Sequence, residues 1–217
     1  MKSAFSYEWE TSTFTLAGQS LRIRAARRFD RLADTSEQLP FGSTLWPAAV
    51  ALSEALVRES ALVEGKEVLE LGCGLGLVSV VAAKLGGKVT ASDGHSDMNE
   101  ALAHNAALNQ VTIDYIAYDW AHGNAPPPFP VVLASDVLYE TQACTLLADA
   151  LVKTLAPGGI ALVSDPGRPH WPRFLRKLEA RELKFRDARV KITSQVALLA
   201  WHPTAARAHH LLRIEKA

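Results

Sequence analysis

Four acids stand at or beside the points where apolar runs give way to loops: Glu70, Asp93, Asp119 and Asp136. Between the first two lies Gly72-Cys73-Gly74-Leu75-Gly76, a turn in which glycines let backbone N–H groups approach a ligand with no Cβ in the way. Asp93 follows about 20 residues later, at the distance where an acid on the next strand accepts both hydroxyls of a ribose. The glycines are spaced G-x-G-x-G, whereas a dinucleotide fingerprint reads G-x-G-x-x-G. Glu70, two residues before the first glycine, is also badly placed for a pyrophosphate. A carboxylate beside this turn suits a ligand that carries amino and hydroxyl donors and a positive charge.

S-adenosylmethionine meets that description, with Glu70 and the Gly72 to Gly76 turn as the groups expected to meet it, whereas the position of Asp93 alone serves the ribose of either this ligand or NAD. Trp46 adds a large aromatic at the start of a helix, off its packing stripe. Such a ring can stack on a ligand or a cation. Cys73 reads as a small packed thiol, since the turn needs a small residue and no base stands nearby in sequence.

The elements that must hold these groups follow from periodicity. Strands are expected at Glu67 to Leu71, Lys88 to Ser92, Val111 to Ala117, Val131 to Ser135 and Ile160 to Ser164, with two more around Phe185 to Val190 and Val196 to Ala200. Helices are expected at Leu75 to Leu85, Asp97 to Leu108 with Ser96 as cap, Thr141 to Leu155 and Trp171 to Ala180. An earlier helix carries Leu45, Ala49, Leu52 and Leu56 on one face, with Ser43 or Thr44 as N-cap and Pro47 in its first turn. Ahead of it, Phe14 to Leu16 and Leu21 to Ile23 flank Ala17-Gly18-Gln19-Ser20, a hairpin with a four-residue turn. Alternating β and α elements imply an α/β fold: a Rossmann-like, seven-stranded, mostly parallel sheet with helices on both faces. The division expected is residues 1–64, a hairpin and helix covering the site, and 65–217, the core of the same single domain. In such sheets ligands sit beyond the carboxyl ends of the strands, where the four acids converge.

Composition narrows the function. The 217 residues are 48% hydrophobic with no net charge, no apolar run reaches the length of a membrane span, and the first residues carry no signal-peptide pattern, so a cytoplasmic protein is expected. Two cysteines and scattered histidines fit no metal-ligand spacing. From Gly167 to Ala217 twelve Lys/Arg face four Asp/Glu, without forming a block, so a solvated face is favoured over an acidic partner. Arg22, Arg24, Arg27, Arg28 and Arg31 lack the aromatic interleaving of a nucleic-acid module.

Six segments in order carry a resemblance: Gly42-x-x-x-Trp46-Pro47-Ala48-Ala49, Glu70-Leu71-Gly72-Cys73-Gly74-x-Gly76, Asp93, Asp119-Trp120, Ser135-Asp136-Val137-Leu138-Tyr139, and Leu155-Ala156-Pro157-Gly158-Gly159. From about Leu39 to Arg189 the chain resembles class I methyltransferases and, more narrowly, the seven-β-strand protein-lysine methyltransferase family, often described as nicotinamide N-methyltransferase-like. The resemblance implies that Gly72, Cys73 and Gly74 line the methionine part of the cofactor, Asp93 holds its ribose, Trp120 covers its adenine and Trp46 flanks it. Ser135 is implied as backbone near the sulfonium. Asp119 belongs to the same group, although an acid there also serves as a cap for the next turn. Where the family carries an acid at the start of the fourth strand, this chain has Phe129-Pro130-Val131.

The function expected is methylation of a lysine side chain of a protein, with S-adenosylmethionine as donor and a monomer as the working unit. Asp136 is then the carboxylate that orients the incoming amine, and Tyr139 the ring that walls its channel. Rival readings are a small-molecule N-methyltransferase and a non-catalytic module that keeps the cofactor cleft. An NAD-dependent oxidoreductase is disfavoured by Glu70 and the glycine spacing.

Overall fold

The computed structural model describes residues 9–26, 41–200 and 202–217; Arg27, Arg28, Arg31, Leu39 and Pro40 lie outside them. Strands β1 (Trp9–Leu16) and β2 (Gln19–Ala26) pair antiparallel as a separate two-stranded sheet. Their turn is shorter than the sequence implied: Gln19 and Ser20 already pair with Leu16 and Thr15. Ala17 and Gly18, at φ 46° and 86°, form the two-residue loop whose twist matches that of the flanking strands.

The main sheet contains β3 (Glu67–Leu71), β4 (Lys88–Asp93), β5 (Asp114–Ala117), β6 (Phe129–Ser135), β7 (Leu155–Asp165), β8 (Lys184–Lys191) and β9 (Ala208–Glu215), in the order β5-β4-β3-β6-β7-β9-β8. Pairings from β5 through β7 are parallel, and β9 runs antiparallel to both β7 and β8. The order reverses between β3 and β6, which opens a crevice at their carboxyl ends. Helices α1 (Pro47–Arg58), α2 (Leu77–Lys84), α3 (Met98–Leu108), α4 (Ala143–Thr154) and α5 (Trp171–Glu179) flank the sheet. Leu52 and Leu56 of α1 and Val78 and Val81 of α2 share one core with Leu16, Leu21, Leu133 and Leu162. On the opposite face Leu147 and Leu151 of α4 and Phe174 of α5 pack on Leu69, Leu71 and Val132. Alternation along the strands therefore sorts side chains between two buried layers, as a doubly covered sheet requires.

The hairpin is fastened to the core by two buried asparagines one helical turn apart. Asn105 accepts from the Arg24 amide at 2.8 Å and donates to the Arg24 carbonyl at 3.2 Å. Asn109 does the same with Arg22, at 3.0 and 2.6 Å. Four residues of helix rise about 6 Å and two residues of strand about 6.7 Å, so the two amides read alternate residues of β2 as another strand would. Asn105 also donates to the Leu75 carbonyl at 2.9 Å, tying this attachment to the glycine turn.

Several local expectations need correction. Neither Ser43 nor Thr44 caps α1: the capping position is Trp46, in extended backbone, with Pro47 opening the helix and Ser43 in a preceding 3₁₀ turn. Ser96 does not cap α3, which begins after Asp97. Only Asp114–Ala117 of the third segment pairs as a strand. The fifth strand begins before Ile160: β7 already starts at Leu155, the residue expected to close the preceding helix, with a register shift opposite Phe129 and Val131. Val196 to Ala200 is no strand: Ala197–Leu199 is a 3₁₀ turn, and the last strand is β9.

Candidate active site

A cleft of about 310 Å³ opens at the carboxyl edge of β3, β4 and β6. Trp46, Glu70, Gly72, Cys73, Gly74, Asp93, Asp119, Trp120, Ser135, Asp136 and Tyr139 all stand on its wall. So do Leu45, expected on the packing face of the first helix, and Leu77, His95, Tyr118, Leu146 and Arg168, which the sequence did not single out.

At the β3–β4 end the wall is a stack of backbone turns. The amides of Gly72 and Cys73 both donate to the Ser92 carbonyl, at 2.8 and 2.9 Å, and the Gly76 amide returns to the Cys73 carbonyl at 2.8 Å. Gly72 lies at φ +72°, and a Cβ there would meet Val137 Cγ1 at 2.7 Å. Gly76 lies at φ +78° as the residue before α2, where a Cβ would collide with Leu102. Both positions need glycine for backbone and space alike.

Asp93 is bound into this turn. Its Oδ2 accepts from the Gly74 amide at 3.0 Å and its Oδ1 from the His95 amide at 3.0 Å. A carboxylate offers about four lone-pair positions, so two hydroxyls can still be accepted. Glu70 is buried and points at the first turns of α2, where its Oε2 accepts from the Ser79 amide at 2.9 Å and from the Ser79 hydroxyl. Burial pushes its carboxyl up to about 8, with nearby Asp93 adding to the shift against the Ser79 hydrogen bonds. Burial, then the charges of Glu70 and Asp93, holds the Cys73 thiol well above its usual range, so Cys73 packs as a neutral side chain.

Asp119 is an exposed cap. It accepts from the Ala121 amide at 2.8 Å and faces His122 Nδ1 at 2.9 Å, and these partners, His122 foremost, lower its carboxyl. Trp120 follows as a partly buried ring packed against the α4–α5 core, beside the position a Gly72 side chain would fill. Trp46 meets His202 edge to face at 5.3 Å between ring centroids.

At the β6–β7 end the wall is charge. Asp136, just past β6, takes a left-handed backbone at φ 60°, a conformation Asp tolerates better than most residues. Its amide donates to the Ser164 carbonyl of β7 at 2.9 Å, and its carboxylate is paired with Arg168. Burial raises the carboxyl to about 6, against the opposing pull of that guanidinium. Tyr139 is 48% exposed at the rim. The cleft therefore joins a glycine turn and Asp93, the acid at the end of β4, to a buried, cation-paired carboxylate 43 residues further along the chain, by the numbering.

The strand order, the glycine turn and the acid at the end of β4 define the class I S-adenosylmethionine-dependent methyltransferase fold. A 16S rRNA N2 methyltransferase from T. thermophilus, in complex with AdoMet and guanosine, has the same fold, with a TM-score of 0.67 at 17% identity over 99% of this chain and 52% of that one. A model of the lysine methyltransferase family matches residues 31–180, and the chain belongs to that family. It is 33% identical over 133 residues to the electron transfer flavoprotein beta subunit lysine methyltransferase of Xenopus laevis, covering 59% of this chain and 53% of that one. It is 34% identical over 111 residues to the histone-arginine methyltransferase METTL23 of Rattus norvegicus, covering 47% and 48%. The chain thus spans about half the length of these curated relatives. Among the described residues no helix is long and apolar enough to cross a membrane.

Proposed function

We propose that the chain transfers the methyl group of S-adenosylmethionine to the side-chain amine of a lysine in a protein. The observation that carries the reading is the buried Asp136 carboxylate on the same cleft wall as the glycine turn and Asp93. Bound S-adenosylmethionine supplies a methyl on a sulfonium, a leaving group that needs no acid. The protein's task is then alignment, which is worth about 7 to 11 kcal/mol when two reactants are held in attacking geometry.

Each residue has a part in that task. Gly72, Cys73 and Gly74 form the floor beneath the methionine portion, and Asp93 accepts the ribose hydroxyls with the lone pairs that Gly74 and His95 leave open. Trp46 and Trp120 flank the donor with apolar rings, Ser135 lies beside it through its backbone, and Asp119 holds the turn that presents Trp120. Glu70 braces α2 behind the glycine turn through its hydrogen bonds to Ser79. Asp136 receives the amine and orients it, and Tyr139 shields it from water at the rim. Two free cysteines support a cytoplasmic setting, where thiols stay reduced.

Incubation with methyl-labelled S-adenosylmethionine and a cell extract tests the reading. Label recovered in protein as methyl-lysine is the result expected. Label in methyl-arginine, or only in the small-molecule fraction, would replace the acceptor while keeping the donor site.

A further inference from the structure

Asp136 has a cationic neighbour that alignment alone does not explain. Arg168 lines the cleft with its side chain 21% exposed, and its Nη1 lies on Asp136 Oδ1. The guanidinium is anchored from behind by Asp165, the fully buried last residue of β7. Asp165 Oδ1 accepts from the Gly167 and Arg168 amides at 2.7 and 2.8 Å, and its Oδ2 accepts from Arg168 Nη1 at 3.1 Å. Ser135 and Ser164 pair across β6 and β7, so the residue after each carries one of the two carboxylates that share the guanidinium.

Two carboxylates around one guanidinium leave a single uncompensated negative charge. Without the guanidinium, a buried carboxylate would take up a proton in preference to staying ionised.

We propose that Arg168 is a positioning residue for methyl transfer: anchored to Asp165, it fixes the Asp136 carboxylate at the acceptor end of the cleft and keeps it ionised, so that the pocket presents one negative charge, matched to one amine. The proposal rests on the amine-acceptor reading of the site. The groups that act on the Asp136 carboxyl besides its burial are Arg168, Asp165 and the Ala48 amide of α1, so removing the guanidinium leaves no cation among them.

The full chain carrying Arg168→Gln or Arg168→Lys tests this, with Arg168→Met as a second neutral variant should Arg168→Gln not fold. The Asp136 carboxyl is titrated by carbon NMR, which needs no acceptor. In the neutral variants its midpoint should rise by about one pH unit or more, and in Arg168→Lys it should stay near the wild-type value. S-adenosylhomocysteine affinity, measured by calorimetry, should change less than about twofold, and the acidic limb of kcat should move upward with the Asp136 midpoint. An unmoved midpoint in the neutral variants overturns the proposal. So does a midpoint that moves as far in Arg168→Lys as in Arg168→Gln. Failure of the amine-acceptor reading appears separately, as wild-type protein that labels no amine, and leaves the titration intact.

Discussion

At the β3–β4 end of the cleft the wall consists of amides and carbonyls within one short stretch. Gly72, Cys73 and Gly76 bond to backbone no further away than Ser92, and Asp93 closes the set through the Gly74 amide. At the β6–β7 end the wall carries charged side chains, Asp136 just past β6 and Arg168, with the buried Asp165 of β7 anchoring the guanidinium from behind. Backbone turns cannot change charge, so the amides and carbonyls of the glycine turn present the same face at any pH. The second end depends on Arg168 keeping a buried acid ionised. A donor that must only be held belongs at the first end, and an acceptor whose proton must be managed belongs at the second.

The sharpest way to break this contrast is Asp136→Asn, chosen because asparagine tolerates the left-handed backbone at that position. A hydrogen bond to a charged group contributes about 1.5 to 3 kcal/mol, so methyl transfer should fall by about 100-fold while S-adenosylhomocysteine affinity, followed by calorimetry, stays level. Asp93→Asn should do the reverse, weakening S-adenosylhomocysteine by about 10-fold, since one ribose acceptor is replaced by a donor, with little change in turnover at saturating cofactor. Gly72→Ala strikes the seam between the ends, because its Cβ would press on Val137 at 2.7 Å from a backbone at φ +72°. Overpacking and left-handed strain each cost about 1 to 3 kcal/mol. For a chain of this size, a loss of about 2 kcal/mol lowers Tm by roughly 4 to 8 °C, which a thermal melt would detect.

The smallest effect is a pH dependence. Glu70 is raised from 4.5 to about 8 by burial, so between those values the folded protein holds a proton that the unfolded chain releases. The stability this contributes is full below about pH 4.5 and is lost as pH rises through 8. Glu70→Gln removes the dependence while keeping an acceptor for Ser79. The melting temperature of the variant should therefore gain on that of the wild type between pH 5 and pH 8, and parallel curves would contradict the assignment.

The same contrast governs how much the amino-acid sequence discloses. The glycine turn, Glu70 and Asp93 are local features: strand, turn and acid follow one another within 24 residues, and short-range sterics dictate their arrangement. The alternation of strands and helices through β7 was legible for the same reason. Arg168 was not, because its relation to Asp136 depends on the β6–β7 register, which no local pattern encodes. Its one local signal is Asp165-Pro166-Gly167-Arg168, an acid placed to cap a tight turn. The last strand was misplaced because Val196-Ala197-Leu198-Leu199-Ala200 is apolar enough to read as β structure. The true strand opens with Ala208-His209-His210, and His209 is fully buried there against its usual preference. The two asparagines that fasten the hairpin were similarly silent, since Asn105 and Asn109 look like ordinary helix-surface residues until β2 is beside them.

The central claim is that donor binding and acceptor handling are separable along the cleft, and one cycle tests it: S-adenosylhomocysteine affinity and methyl transfer at saturating cofactor in Asp93→Asn, Asp136→Asn and the double variant. Separable ends predict a double variant with the cofactor affinity of Asp93→Asn and the turnover of Asp136→Asn, each within about 0.5 kcal/mol. If Asp136→Asn alone weakened S-adenosylhomocysteine as much as Asp93→Asn does, the two ends would be one site and the division drawn between them would be wrong.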